Sequence, residues 1–219
     1  MSSEVFMVYA LWAAIGIGVF WFLVHNGKKQ RANQTVSELL EQVGEHLGFA
    51  VDHQRFVAGD ITGHEYWNGW ITGQRDGLEV ESGQVDIDLS EESDGPEASF
   101  IEIRVALSDR WDSGMELVSA DAETFGEYPE LLDPIETGDD AFDERFRIEV
   151  QLPDFLEQIL LSDDIQSLLR RLDDDCQSLR IAGGQLRRRY DLDTFRSPDE
   201  WLRAIDDTVD AAQRLNASI

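Results

Sequence analysis

The chain has 219 residues, with 45 acidic and 18 basic side chains and a formal net charge of −27. Binding to nucleic-acid phosphates requires a basic surface, so this charge argues against a nucleic-acid partner. Cys176 is the single cysteine, which excludes an intrachain disulfide and a cysteine-based zinc cluster.

Residues 5–24 form an apolar run of twenty residues without a charged side chain. As a helix this run would be about 30 Å long, the thickness of the hydrocarbon core of a bilayer. We therefore predict a single transmembrane helix over residues 5–25, preceded by a short external N-terminus (residues 1–4). A cleaved signal peptide is disfavoured because no positive charge precedes the run.

The charges that flank this run predict its orientation. Lys28, Lys29 and Arg31 follow it closely, and Glu4 is the one charged side chain before it. The positive-inside rule then predicts a protein of the cytoplasmic membrane, with the N-terminus outside and the soluble domain in the cytoplasm. The predicted membrane-interface collar comprises Trp21, Phe22, Lys28, Lys29 and Arg31.

Small residues recur at every fourth position of the apolar run. Ala10, Ala14 and Gly18 would share one face of a helix and allow a second helix to approach closely. The predicted partners are therefore the lipid bilayer and another transmembrane helix, in a homo- or hetero-oligomer. Small residues are also common in any transmembrane helix.

Beyond Arg31 the chain contains 15 arginines, no lysine and 44 acidic residues, a net charge of −29. Such a charge keeps a protein soluble but destabilises its compact state unless salt screens it. Because the carboxylates are spread along the segment, halophilic (salt-adapted) composition is the favoured interpretation. A surface for cations or for a basic partner is the alternative.

The first part of the soluble region reads as a juxtamembrane segment followed by strands. Residues 26–48 combine the basic collar with an amphipathic helix that ends at Gly48. Residues 49–120 are predicted to form an antiparallel β-rich half with one solvated face. Its clearest strand is residues 101–107, in which apolar residues alternate with Glu102 and Arg104.

Residues 121–140 read as an acidic connection, and residues 141–219 as a second α+β half. This half is predicted to contain a strand at residues 146–150, short helices at 153–161 and 164–172, a hairpin turn at Gly183-Gly184, and a terminal helix capped by Ser197. The predicted fold class is α+β: one transmembrane helix followed by a mainly antiparallel-sheet domain with a C-terminal packing helix.

The segment from Gly138 to Phe146 has the pattern G-D-x-x-F-D-x-x-F directly before a strand. It resembles a group of uncharacterised bacterial membrane-anchored proteins, and that resemblance implies no activity. In physical terms, Asp140 is predicted to cap a single helical turn, and Phe142 and Phe146 to anchor the core.

The sequence motifs predict no catalytic, cofactor-binding or metal-binding residues. Two D-x-D patterns, beginning at Asp86 and Asp191, are expected by chance in so acidic a chain. The densest basic cluster beyond the collar is Arg187, Arg188 and Arg189, a candidate anion patch. Pairing with neighbouring carboxylates is the alternative for these arginines.

Three classes of function remain open. We favour a non-enzymatic accessory or scaffold subunit of a larger membrane complex, which presents an acidic interaction domain. The alternative is a membrane-tethered ligand-sensing domain, which requires a pocket between the two halves. The third is a metal-assisted hydrolase, which requires convergent carboxylates.

Overall fold

The computed structural model describes residues 35–53, 55–57, 65–88, 97–112, 115–119, 133–134, 136–150, 160 and 162–218. The described residues from Leu39 onward belong to one compact unit. The account that follows concerns this unit, together with the helix at residues 35–47 (α1).

Antiparallel pairing joins the described strands into one sheet. The spatial order is β1-β3-β4-β5-β10-β9-β6-β8-β7, with β2 also paired to β3. The strands are β1 (Ala50–Asp52), β2 (Arg55–Val57), β3 (Glu65–Arg75), β4 (Leu78–Asp88), β5 (Glu97–Ala106), β6 (Met115–Ser119), β7 (Asp133–Pro134), β8 (Phe146–Val150), β9 (Ser178–Ala182) and β10 (Gln185–Asp191).

Besides α1, further helical segments accompany this sheet in the described part of the compact unit. They are a 3-10 turn (Asp109–Asp112), α2 (Asp140–Asp143), α3 (Asp163–Asp174) and α4 (Pro198–Ala217). The predicted helix at residues 153–161 lies outside the described residues except for Leu160.

The predicted fold class requires correction. Across the described ranges, no helix is both long enough and apolar enough to cross a membrane. The transmembrane helix predicted at residues 5–25 lies outside those ranges. What the structure describes is an antiparallel sheet with helices packed against it.

Strands from both predicted halves share this sheet. The β9–β10 hairpin lies between β5 and β6, so residues far apart in sequence become neighbours. Ile101 of β5 is the Cα partner of Tyr190 on β10, and Leu117 of β6 is the partner of Ile181 on β9. The second half therefore supplies the middle of the sheet.

Helix α1 ends as the sequence predicts. Gly48 adopts a positive φ of 67°, and its N–H donates to the carbonyl of Glu45. The N–H of Phe49 donates to the carbonyl of Gly44 at 2.9 Å. These two bonds form the Schellman arrangement that glycine stabilises at a helix C-terminus.

Strand β4 runs without interruption through Ser82 and Gly83. Gly83 lies directly opposite Trp70 of β3. A Cβ atom added at Gly83 would lie 2.1 Å from the backbone oxygen of Gly69. Glycine is therefore needed here because two strands approach closely, and this use does not interrupt the strand.

The predicted hairpin and terminal helix are both present. Gly183 and Gly184 have φ values of 54° and 66° and form the turn between β9 and β10. Helix α4 begins with Ser197 as its N-cap, whose hydroxyl accepts from the N–H of Glu200. Trp201 of this helix is fully buried, and its indole Nε1 donates to Ser82 Oγ at 2.9 Å. The contact joins α4 to the sheet.

The predicted solvated face is wrong for β5. Ile101, Ile103 and Val105 are buried as expected, but the intervening Glu102 and Arg104 are only 0% and 7% exposed. A strand whose charged residues are buried needs a means of compensating those charges. That compensation defines the candidate site.

Candidate functional site

The three consecutive arginines lie on β10 and alternate between the two faces of the sheet. Arg188 is the Cα partner of Ile103, and its guanidinium contacts α3 and α4, so we call this the helix face. Arg187 and Arg189 occupy the opposite face, which we call the arginine face. The candidate patch is thus divided between two environments.

On the arginine face, three arginines stand in register on neighbouring strands. Arg187 is the Cα partner of Arg104 on β5 and of Arg180 on β9. Like charges directly opposite one another destabilise a sheet. Carboxylates on the same face counter this effect, and Arg180 Nη2 lies 2.6 Å from Glu116 Oε1.

Glu102 is the most enclosed of these carboxylates. One of its oxygens accepts a hydrogen bond from Arg104 Nε and the other accepts from Arg189 Nε. Arg189 is only 1% exposed, and its guanidinium carbon lies 5.9 Å from the centre of the Phe100 ring. The sheet thus contains a buried Arg–Glu–Arg triad.

The triad fixes the charge state of Glu102. Burial is the largest influence and favours the neutral acid, but the attraction of Arg104, Arg189 and Arg187 outweighs it. The pKa of Glu102 is therefore held well below its ordinary value of 4.5. A carboxylate that stays ionised at neutral pH cannot donate a proton there, so the triad is unsuited to general acid catalysis.

Sequence reasoning missed Glu102 and Arg104 as site residues. The available signal was a pair of opposite charges two positions apart in an otherwise apolar strand, which places both on one face. Their burial depends on Arg189, whose position beside β5 follows only from the strand order.

On the helix face, Arg188 lies among backbone and hydroxyl groups. Its Nη1 donates to Thr208 Oγ1 at 3.2 Å, and its Nη2 donates to the carbonyl oxygen of Leu172 at 3.1 Å. Its guanidinium carbon lies 5.2 Å from the centre of the Tyr190 ring. Arg188 therefore joins the last turn of α3, the middle of α4 and the sheet.

Cys176 lies beside this arginine. Its Sγ is 3.2 Å from the carbonyl oxygens of Leu172 and Ser178. Burial raises the pKa of the Cys176 thiol to about 11, and Arg188 offsets only part of that effect. Burial also raises the pKa of Tyr190. A thiol that remains protonated at neutral pH is a poor nucleophile, so this cysteine is not suited to covalent catalysis.

The G-D-x-x-F-D-x-x-F segment forms a compact turn, with one correction to its predicted cap. The N-cap of α2 is Asp139, whose Oδ1 accepts from the N–H groups of Ala141 and Phe142; Asp140 is the first helical residue. The prediction that Asp140 caps the turn is wrong. Asp143 closes the turn by accepting from the backbone N–H and the hydroxyl of Thr137 at 2.9 and 2.7 Å.

The same segment is attached to α3 by ring contacts and ion pairs. Phe142 and Phe146 are buried, with ring centres 4.7 Å apart, which confirms them as core anchors. Arg170 Nη1 of α3 lies 3.1 Å from Asp139 Oδ2. Arg145 Nη2 lies 2.7 Å from Asp174 Oδ1, which also belongs to α3. These contacts have a structural role.

Several predicted site residues lie outside the described ranges. They are the helix-packing residues Ala10, Ala14 and Gly18 and the collar residues Trp21, Phe22, Lys28, Lys29 and Arg31. Among the residues that the structure does describe, no group of three or more His, Cys, Asp or Glu side chains is arranged to hold a metal ion.

Comparisons with known proteins do not assign a family. No family model matches the chain, and no curated protein matches it in sequence. Among solved structures, the chain is similar to the mycobacterial trehalose monomycolate transport factor A, TtfA, at 11% sequence identity and a TM-score of 0.49. The match covers 84% of this chain and 93% of that chain. At this level of similarity nothing about this protein follows from it.

Proposed function

We propose that this protein is a non-enzymatic accessory or scaffold subunit whose acidic exterior contacts a basic surface of a partner protein. The observation that carries the proposal is the segregation of charge. Arg104, Arg188 and Arg189 are buried within the fold, whereas many carboxylates remain on the surface. The charge available to a partner is therefore mostly negative.

The exposed parts of α3 and α4 illustrate this segregation. Asp163, Asp164, Asp199 and Asp207 are exposed. Several surface arginines are engaged within the chain, as when Arg214 pairs with Asp210 of the same helix at 2.9 Å. Complementary charge between surfaces speeds association and selects partners more than it adds raw affinity.

The environments of the buried polar groups also favour a non-catalytic role. The triad of Glu102, Arg104 and Arg189 has a fixed charge state, and Cys176 is held protonated. Neither group is therefore suited to proton donation or to nucleophilic attack at neutral pH. The location at the cytoplasmic membrane, and the lateral helix partner, stay predictions from residues outside the described ranges.

The test is recovery of the partner from native cells. The tagged full-length chain would be expressed in the organism that encodes it, extracted in a mild detergent at low ionic strength and analysed by mass spectrometry. We expect a stoichiometric partner with a basic surface, which is released as salt rises because screening weakens exposed charge contacts. Recovery as a lone monomer under every mild condition would contradict the proposal.

Two charge-matched variants separate a specific surface from bulk charge. The first replaces Asp163, Asp164, Asp199 and Asp207 with asparagine. The control neutralises four exposed carboxylates elsewhere, Glu41, Glu45, Glu79 and Asp191, and changes the net charge equally. Loss of the partner from the first variant alone would place the contact on α3 and α4. Retention by both variants would show that acidic contacts do not hold the partner.

A further inference from the structure

Arg188 is a buried cation to which no described carboxylate is ion-paired. It is only 2% exposed, and its terminal nitrogens donate to a hydroxyl and a backbone carbonyl. Arginine is rarely this buried unless an anion accompanies it. The next residue, Arg189, follows that rule because it is paired with Glu102.

The groups around Arg188 compensate its charge only in part. The carbonyl of Leu172 belongs to the last turn of α3, and a helix C-terminus carries about half an elementary negative charge. The thiol of Cys176 is neutral at pH 7 because burial raises its pKa to about 11. Neither group supplies a full negative charge.

Two buried polar atoms at this position also have no hydrogen-bond partner in the described part of the chain. They are Arg188 Nε and the hydroxyl of Tyr190, a residue that is 3% exposed. Both side chains project from the helix face of β10 because they are two residues apart. The guanidinium carbon of Arg188 lies 5.2 Å from the centre of the Tyr190 ring, so the two side chains are in contact.

Charge and space define what these donors would accept. An anion suits this position best, because it accepts from both donors and offsets the charge of the cation. It must also be small, because the region lies between the sheet and two packed helices. The negative charges of Asp175 and Asp207 help to raise the pKa of Tyr190. Their repulsion of a bound anion grows with its charge, so multivalent anions are disfavoured. We propose that Arg188 and Tyr190 hold a chloride ion beneath α3 and α4.

This ion has a role distinct from general salt screening. Screening acts on the whole −27 charge and depends on ionic strength rather than on the identity of the anion. A bound chloride stabilises the folded state by RT ln(1 + [Cl⁻]/Kd), where Kd is its dissociation constant. Only another anion that fits the site can replace it. The inference is independent of the proposed function.

The experiment compares thermal unfolding of the full-length protein in sodium chloride and in sodium gluconate at equal ionic strength. We expect a higher Tm in chloride, with a difference that grows with the logarithm of the chloride concentration once the site is occupied. Tyr190→Phe keeps the ring and removes the hydroxyl, so it should abolish at least half of this difference. The matched control is Ser178→Ala, which removes another buried hydroxyl that lacks a partner, on the arginine face, and should leave the difference intact.

Bromide provides the direct measurement. Crystals grown or soaked in bromide should show an anomalous peak in contact with Arg188 Nε and the Tyr190 hydroxyl, and Tyr190→Phe should lose it. Equal Tm values in the two salts, an unchanged difference in Tyr190→Phe, or no peak at Arg188 would each overturn the proposal. The two donors would then be satisfied by water.

Discussion

Glu102 and Arg189 face one another on neighbouring strands and form an ion pair. Both side chains are buried from solvent. One residue belongs to the first predicted half of the chain and the other to the second. Their contact is therefore a link between distant parts of the sequence as well as a charge pair. The stability of the sheet should depend on it.

Replacing Glu102 with glutamine should strongly destabilise the fold. The change removes the carboxylate shared by Arg104 and Arg189 but leaves those charges buried. Loss of one partner from a buried pair costs about 3–5 kcal/mol, and urea unfolding at neutral pH measures it. Glu79→Gln, at an exposed position of β4, is the control and should change stability by less than about 0.5 kcal/mol. A similar small effect for both variants would refute this role of Glu102.

Acid should remove the contribution of Glu102. Its folded-state pKa lies below the ordinary value of 4.5, so its stabilising effect is fully present above that pH and declines as pH falls towards the folded pKa. The difference in unfolding free energy between the native protein and Glu102→Gln should therefore shrink between about pH 6 and about pH 3. A difference that stays constant over this interval would show that folding does not lower the pKa of Glu102.

Cys176 should react slowly with iodoacetamide until the protein unfolds. With its pKa raised from 9.0 to about 11, the folded thiol ionises roughly 100-fold less than a free thiol near pH 8. Because the chain has one cysteine, mass spectrometry reports the modification without ambiguity. The same protein in urea is the control and should react at the ordinary rate. Equal rates in both states would show that folding does not raise the pKa of the Cys176 thiol.

The same shift predicts a loss of stability in alkali. The unfolded thiol ionises at a lower pH than the folded thiol, so stability falls as pH rises above 9.0. Cys176→Ala should reduce this decline.

Two adjacent aspartates should differ in their effect on α2. Asp139→Ala removes the side chain that caps the helix and pairs with Arg170, and should cost about 0.5–2 kcal/mol. Asp140→Ala changes an exposed neighbour and should stay within about 0.5 kcal/mol. Chemical denaturation of both variants decides between them. A larger loss of stability for Asp140→Ala would show that Asp140 caps the helix, as the sequence pattern predicted.

Local signals in the sequence predicted the elements well. The glycine pair at residues 183–184, the Ser197 cap and Gly48 each act within a few residues, and each is found as expected. The alternation in β5 likewise identified a strand. It could not show that Glu102 would be buried, because alternation describes one strand and burial depends on its neighbours.

The candidate site was less predictable than the elements for the same reason. The Arg187–Arg189 triplet identified β10 as unusual, and strand geometry correctly separates Arg188 from the other two. Which groups these arginines meet depends on β5, α3 and α4, which are distant in sequence. Sequence spacing carries no information on those contacts.

The position of the β9–β10 hairpin in the middle of the sheet has a consequence for biosynthesis. During synthesis, β5 and β6 emerge before β9 and β10. In the folded sheet, β10 pairs with β5, and β9 pairs with β6. Non-local pairing of this kind folds slowly, and unpaired strand edges favour aggregation. A nascent chain halted before residue 178 lacks the centre of the sheet, so premature termination should yield aggregation-prone fragments that cellular proteases must clear.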